Sequence, residues 1–372
     1  MSSPLESEYF IELAEQSLTL GDSDAALNLL NQISDEYRSH AWATIYVETL
    51  RFRGEFEMAL SVGIDRLGDM ILNREWEYAR RVLVECGRAF DAMGRDSDCI
   101  NFLCSIAGLQ NDGISFELLF NVQLVSILSS RIADNGDVAT ADRLMSLIAA
   151  DATGLSDRKA RASVLWVRSE IEQLQGDVDC AIACMEQVHR IYLEENDKLA
   201  TMRIVMRLGY LATNYLNIDY ATVRRIDDLH SSILSRTFGD ANDDALMWLM
   251  FTSASIARAL GDIPRAIENL HEVKRRDSLE GFPLAYLELL YGLCYKSLGE
   301  PSASFKHLQA SLHIFENELP REWVHAELRT IGYALYDLGL QDVGKEIIAR
   351  AVPPAGDYTW CLEHFTFPSQ GV

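Results

Sequence analysis

The chain has 372 residues, and 33 Lys and Arg against 56 Asp and Glu give it a formal net charge of −23. This acidity disfavours direct nucleic-acid binding, which depends on Lys and Arg displacing the counterions of phosphate. The seven cysteines are irregularly spaced, which argues against a disulfide framework and indicates a reducing compartment. No apolar run is long enough for membrane insertion and no basic-flanked leader is visible, so we expect a cytoplasmic protein.

A helix-breaking turn recurs along the chain at intervals of about 40 residues. A small residue follows each turn by five positions: Ala26, Ala59, Cys99, Ala141, Ala181, Ala221, Ala266, Ser304 and Gly344. A glycine marks eight of the turns: Gly21, Gly54, Gly94, Gly136, Gly176, Gly261, Gly299 and Gly339. A fixed period in this range predicts stacked helical hairpins, none of which buries its apolar face alone.

A second series of small residues lies twelve positions before the first: Ala14, Val47, Gly87, Ser129, Ser169, Gly209, Ala254, Gly292 and Gly332. Eight of the nine are Ala, Ser or Gly, which predicts that the two helices of each hairpin cross closely there. Four aspartates directly follow turn glycines, and we expect them to cap the second helices: Asp22, Asp137, Asp177 and Asp262.

The segment Leu284–Leu298 followed by Ser302–Phe315 has the apolar spacing of two amphipathic helices. Strand-like alternation is absent from the sequence, so the predicted fold is all-α. We expect one continuous helical-repeat domain over residues 1–352 and a non-repeat aromatic tail over residues 353–372. The tail is expected to fold back over the last hairpin and seal it; occlusion of a groove or docking on a partner are the alternatives.

The arrangement resembles the tetratricopeptide repeat, most clearly at Tyr291-Gly292-Leu293-Cys294-Tyr295-Lys296-Ser297-Leu298-Gly299-Glu300. The resemblance implies a right-handed superhelical solenoid of about nine hairpins. Most intervals are 38 to 45 residues long, compared with about 34 in the standard repeat. These longer repeats are similar to those of MalT-type sensor domains and kinesin light chains. Those relatives bind partners and do no chemistry in their repeats, so the resemblance implies an interaction module. The sixth repeat departs from the pattern, with Leu216-Asn217-Ile218-Asp219 at its turn.

The sequence contains no nucleophile-elbow motif, no phosphate-binding glycine loop and no paired-histidine zinc helix. We therefore expect neither an enzyme nor a cofactor. Cys180 and Cys184 are one helical turn apart, a spacing that a metal could use. A free cysteine is more often a small buried hydrophobe, so no metal site is predicted.

In tetratricopeptide-like stacks the first helix of each hairpin lines a concave groove. The corresponding positions here are mostly basic or aromatic: Arg81, Arg88, Gln123, Arg203, Arg207, Tyr210, Asn214, Trp248, Arg258, Tyr286, Lys296, Arg329, Tyr333 and Tyr336. Such a groove suits an acidic or aromatic peptide segment or a C-terminal carboxylate, with Asn214 pairing with peptide backbone. The alternative is that these side chains pair with acids such as Glu85 and Glu170 or pack between repeats.

Together these features predict a non-enzymatic scaffold or adaptor that binds a protein or peptide. The alternative function is a regulatory sensor that binds a small signal molecule or signalling peptide and controls a transcriptional or signalling partner. The sequence has no convincing form of the Lys-Asn-Asn-Lys-Arg clamp of tetratricopeptide cochaperones, so binding of chaperone tails is not predicted.

Overall fold

The computed structural model describes residues 4–154, 156–214, 218–237, 243–276, 279–319, 324–351 and 356–365. Across these ranges the protein is all-α, without a strand, as predicted. The helices are α1 Pro4–Thr19, α2 Ser23–Leu30, α3 His40–Phe52, α4 Phe56–Leu72, α5 Trp76–Ala92, α6 Asp96–Gly108, α7 Leu118–Asp134, α8 Val138–Gly154, α9 Arg158–Gln175, α10 Val178–Glu194, α11 Lys198–Asn214, α12 Tyr220–Thr237, α13 Asp243–Ala259, α14 Ile263–Arg276, α15 Gly281–Ser297, α16 Pro301–Asn317, α17 His325–Asp337 and α18 Gln341–Arg350. Short 3₁₀ helices span Asp35–Tyr37 and Thr359–His364.

Consecutive helices pair as antiparallel hairpins, odd-numbered helix first, which confirms nine repeats within the described ranges. The turn after α9 shows how the sequence produces them. Gly176 has φ +89°, a left-handed conformation that costs glycine little, and the Asp177 amide bonds back to the Glu172 carbonyl at 2.9 Å. The Asp177 carboxylate then accepts from the Cys180 amide at 3.0 Å and caps α10.

The other turns repeat this chemistry, as the sequence predicts. All eight turn glycines have positive φ. Asp22, Asp137 and Asp262 accept from the amides of Ala25, Thr140 and Arg265 at 2.9, 3.1 and 3.2 Å. These bonds satisfy backbone donors that a helix start leaves free.

Three hairpins show the close crossing where the two series of small residues predict it, whereas Gly87 and Gly209 lie against Ile127 of α7 and Thr252 of α13, in the next first helix. The hydroxyl of Ser169 donates to the carbonyl of Ala181 at 2.9 Å, and that of Ser304 donates to the carbonyl of Gly292 at 2.8 Å. A Cβ atom added at Gly332 would lie 3.0 Å from the carbonyl oxygen of Gly344, so this crossing excludes larger residues.

The sixth repeat departs from the predicted register in its second helix only. Asp219 caps α12, and the residue four positions later, Val223, is buried where the other hairpins place their small residue. Ala221, predicted for that position, is exposed. The first helix keeps its alignment, because Gly209 is buried against Thr252 of α13. Extra residues in the turn therefore shift the start of α12 by two positions.

The chain divides into two compact units, residues 1–167 with 356–372 and residues 168–355. The first unit has a core that includes Leu83, Leu103 and Phe120. The second has a continuous core from α13 to α18 that includes Phe251 and Phe315. Each large side chain buried in this way contributes about 2 to 3 kcal/mol of hydrophobic free energy. No helix in the described ranges is long and apolar enough to cross a bilayer.

The C-terminal segment packs against the first unit. Its 3₁₀ helix, Thr359–His364, contacts α6 and α8, and Cys361, Leu362 and Phe365 are buried. The expectation that the tail covers the last hairpin is therefore wrong for residues 356–365. The physical reason is that α6 and α8 bury its apolar side chains, while Asp137 at the start of α8 accepts from the Tyr358 amide at 2.8 Å.

Candidate functional site

The first helices of successive hairpins form one layer of the second unit. α11 contacts α13, α13 contacts α15, and α15 contacts α17. This layer carries most of the residues predicted to bind a partner, because equivalent positions on successive first helices face the same way. We call it the first-helix face, formed by α11, α13, α15 and α17.

A cleft opens in the first-helix face and encloses about 350 Å³, counting the space open to solvent. The space within it that the centre of a water molecule can occupy is about 20 Å³, room for a single water molecule. The lining is Tyr210, Thr213, Ser255, Arg258, Tyr286, Leu289, Leu290, Leu293, Ala326, Glu327 and Thr330. A narrow cleft of this kind admits a small planar group or one side chain, and a larger ligand has to lie across its mouth.

Arg258 is the cation of the cleft and lies in the last turn of α13. One terminal nitrogen donates to the Thr213 carbonyl at 3.4 Å, whereas its Nε is buried without a hydrogen-bond partner. Burial lowers the pKa of this guanidinium, and no carboxylate in the described ranges forms an ion pair with it. A partly buried cation without a carboxylate partner is costly to the fold and is typical of a site that binds an anion.

Tyr286 of α15 lies between α13 and α17 and bonds to Ser255. Burial raises the pKa of its hydroxyl, so the group stays a neutral donor and acceptor at any physiological pH. Its ring packs edge-on against Phe251, with 5.4 Å between centroids, and also packs beside Trp248 at 5.9 Å. The aromatic cluster holds this wall of the cleft in one position.

Glu327, in the first turn of α17, supplies the carboxyl group on the other wall. Burial raises its pKa to about 7, although a hydrogen bond from its own backbone amide lowers it. No ion pair joins Glu327 to any described residue. The cleft therefore presents one unpaired cation and one carboxyl group that titrates near neutral pH, separated by a fixed tyrosine.

This arrangement fits a singly charged planar anion. A guanidinium binds a carboxylate through parallel hydrogen bonds, and Arg258 has the unused donors. A phosphate would bring more negative charge toward Glu327. The described residues contain no cluster of three metal-ligating side chains, and Cys180, expected to be buried, is exposed.

The other predicted site residues of the second unit differ in exposure and in their partners. Arg203, Arg329 and Tyr333 are exposed, and neither arginine forms an ion pair within the ranges described. Arg207 is hydrogen-bonded to Gln173 and lies over the ring of Tyr210, 5.3 Å from its centroid.

The predicted residues Lys296, Tyr336 and Asn214 also differ in their surroundings. Lys296 is paired with Asp337 of the next first helix. Tyr336 is partly exposed, and the Lys345 ammonium lies 6.0 Å from its centroid. Asn214 ends α11, and its side chain lies outside what the structure describes.

Arg81, Arg88 and Gln123 belong to the first unit. Arg81 forms ion pairs with Glu15 at 2.8 Å and Glu48 at 3.0 Å, and Arg88 pairs with Glu85 at 2.5 Å. Arg81 and Arg88 therefore pair with acidic residues of the chain itself, which is the alternative to partner binding given by the sequence. The structure does not bring them into the cleft of the second unit.

Sequence reasoning missed Glu327, Ser255 and Thr213. Ser255 occupies a predicted groove position but is neither basic nor aromatic. Glu327 lies one position away from such a site, and in a chain with 56 acidic residues a single Glu gives no signal. Its significance comes from burial without a partner, which only coordinates reveal.

No protein-family model and no curated protein matches the chain. Among solved structures, a tetratricopeptide repeat protein from Parabacteroides merdae aligns over 93% of this chain and 99% of its own, with 12% identity and a TM-score of 0.42. An IFIT1 monomeric mutant with m7Gppp-AAAA aligns over 94% and 91%, with 12% identity and a TM-score of 0.41. Yeast Tom70 aligns over 93% and 84%, with 10% identity and a TM-score of 0.31.

Likenesses this distant assign no ligand and no partner. The hairpins, glycine turns and small-residue crossings of the chain itself define a helical-repeat fold that resembles the tetratricopeptide repeat. The closer similarity to MalT-type sensor domains and kinesin light chains stays a prediction.

Proposed function

We propose that this protein is a non-enzymatic cytoplasmic scaffold or adaptor that binds a segment of a partner protein on the first-helix face. A carboxylate of the segment, from an acidic side chain or a chain end, pairs with Arg258, and an apolar or aromatic neighbour rests beside the aromatic residues. The single observation that carries the proposal is the Arg258 guanidinium at the cleft, whose Nε is buried without a hydrogen-bond partner and which pairs with no carboxylate of the described residues.

Exposed cations at the edge of the same face extend this interaction. Arg203 and Arg329 are exposed and form no ion pair in the described ranges, so they attract an acidic segment without losing an internal partner. On a chain of net charge −23, such unpaired cations steer an acidic ligand to one face. Seven cysteines without a disulfide in the structure support the cytoplasmic location.

The sensor alternative requires a ligand that the cleft encloses. The centre of a water molecule can occupy only about 20 Å³ of the cleft, so a signal molecule fits only if the walls separate, and the scaffold is favoured. Native mass spectrometry of purified protein distinguishes the two, because a sensor retains a low-mass ligand and a scaffold does not.

The proposal is tested by selecting ligands from a random peptide library on the full chain and measuring their affinity by fluorescence anisotropy. Arg258→Gln should weaken a selected ligand by about 10- to 100-fold, since a charge-assisted hydrogen bond contributes about 1.5 to 3 kcal/mol. Circular dichroism should show that the variant keeps its helices.

The matched control is Arg275→Gln on α14, a second helix of the same unit, where the side chain is 68% exposed and pairs with Glu272. It removes the same charge away from the cleft and should leave affinity within about twofold. Equal losses in the two variants would mean that binding depends on overall charge, and the assignment of the site would be wrong.

A further inference from the structure

The C-terminal segment is held on the first unit by specific contacts. The Gly356 amide donates to the Asn135 carbonyl at 3.1 Å, and the Tyr358 amide donates to Asp137 at 2.8 Å. Asp137 also caps α8, so one carboxylate serves both the helix and the segment. These bonds fix the start of the segment at the turn between α7 and α8, and its 3₁₀ helix contacts α6.

This docking brings two thiols into contact. Cys361 of the segment and Cys104 of α6 are 0% and 2% exposed, and the 3₁₀ helix that carries Cys361 contacts α6. A side-chain hydrogen bond from Cys361 raises the pKa of the Cys104 thiol. They are 257 positions apart in the sequence. Nothing in the spacing of the cysteines indicates this pair, and packing of the segment alone produces it.

Two other pairs of cysteines would not tether the C-terminal segment if they were oxidised. Cys180 and Cys184 lie on one helix, so a bond between them would tether nothing. Cys86 and Cys99 are both buried, and Cys99 helps to raise the pKa of the Cys86 thiol, without the hydrogen bond that joins Cys104 to Cys361. Of these three pairs, only Cys104 and Cys361 would fasten the C-terminal segment to a helix when oxidised.

We propose that Cys104 and Cys361 are a redox modification site whose disulfide locks the C-terminal segment onto α6. The oxidant class is a low-mass disulfide such as glutathione disulfide. The proposal stands independently of ligand binding in the second unit.

The reaction is thiol–disulfide exchange in two steps. The Cys361 thiolate attacks one sulfur of the small disulfide, forms a mixed disulfide and releases one small thiolate. Cys104 then loses its proton to solvent and attacks the Cys361 sulfur, which forms the protein disulfide and expels the second small thiolate. Two protein thiols are oxidised, and one small disulfide is reduced to two thiols.

Burial controls when this reaction occurs. The hydrogen bond to Cys361 and burial hold the pKa of the Cys104 thiol well above its usual range, so the docked Cys104 thiol stays protonated and unreactive. Exchange starts when the segment lifts and Cys361 meets solvent. The return of the segment then brings the two sulfurs together, which favours the intramolecular bond over a second mixed disulfide.

The test incubates the full chain with oxidised glutathione and maps disulfides by peptide mass spectrometry without reduction. We expect a crosslink between the peptides that contain Cys104 and Cys361, reversed by dithiothreitol. The melting temperature of the oxidised protein should rise by at least about 5 °C, because the bond closes a loop of more than 250 residues.

Two variants make the result specific. Cys361→Ala should abolish both the crosslink and the thermal shift while leaving the helices intact, since it changes only the segment. Cys294→Ala is the control, because Cys294 is a buried thiol of the second unit, and it should behave as the unaltered chain. Glutathione adducts without the crosslink, a crosslink without a thermal shift, or an equal shift in Cys361→Ala would each overturn the proposal.

Discussion

Replacement of Glu327 by Gln is expected to stabilise the protein at alkaline pH. Glu327 lies in the cleft with no ion-pair partner in the described ranges, and burial raises its pKa to about 7. The amide keeps the size of the side chain and removes the charge. A residue retained at the cost of stability is the expected signature of a functional site.

The magnitude follows from the pKa. The folded state holds the proton up to a pH of about 7, whereas the unfolded chain releases it at its ordinary value of 4.5. Below pH 4.5 both states are protonated, and the group costs nothing. Between these values the folded protein loses stability as the pH rises, up to about 3 kcal/mol at pH 8 as an upper bound, at 1.36 kcal/mol per pH unit.

The assay is urea unfolding of the original chain and the Glu327→Gln variant at pH 4.5, 6 and 8, followed by circular dichroism. We expect nearly equal unfolding free energies at pH 4.5 and a gap in favour of the variant that widens to between about 1 and 3 kcal/mol at pH 8. The control is Glu316→Gln, which removes an exposed carboxylate that pairs with Arg350 and should change stability by less than about 1 kcal/mol. A gap that is independent of pH, or a less stable Glu327→Gln at pH 8, would refute the reasoning.

Three further predictions concern the repeats and the core. Gly292→Ala should destabilise the second unit by about 1 to 3 kcal/mol in urea unfolding, because the added Cβ would lie 2.7 Å from Cγ of Leu308; Gly68→Ala, with nothing within 4 Å, should stabilise slightly. Asp177→Ala should lower the free energy of unfolding in urea by about 1 kcal/mol, whereas Asp177→Asn should change it little because Asn also caps helices. Burial lowers the pKa of His230 from 6.5 to about 4, so stability should fall by about 3 kcal/mol as the pH drops through this window; acid unfolding of His230→Gln should lack that loss.

The sequence predicted the repeats well because the information that determines them is local. A positive φ favours glycine, a free helix start favours Asp, and a close crossing favours a small side chain. Each of these constraints is readable at one position, as at Gly176, Asp177 and Ser169. The error at Ala221 has the same origin, because a longer turn without glycine gives no sign of where the next helix starts.

The candidate site was predictable only in part. Periodicity placed Arg258, Tyr286 and Tyr210 on one face, and the structure puts all three in one cleft. It could not show that Arg81 has internal partners, since ion pairs depend on side chains from other hairpins. The docking of Cys361 against Cys104 was equally hidden, because nonlocal packing decides where a non-repeat tail lies.

The most direct test of the proposed site is a double-mutant cycle between Arg258 and the ligand carboxylate. Affinities are measured for the original chain and Arg258→Gln, each with a selected peptide and with the same peptide carrying an amide in place of the carboxylate. We expect either change alone to weaken binding about 10-fold or more, and both together to add little, with a coupling energy of at least about 1.5 kcal/mol. Strictly additive losses would contradict the claim that Arg258 receives the carboxylate.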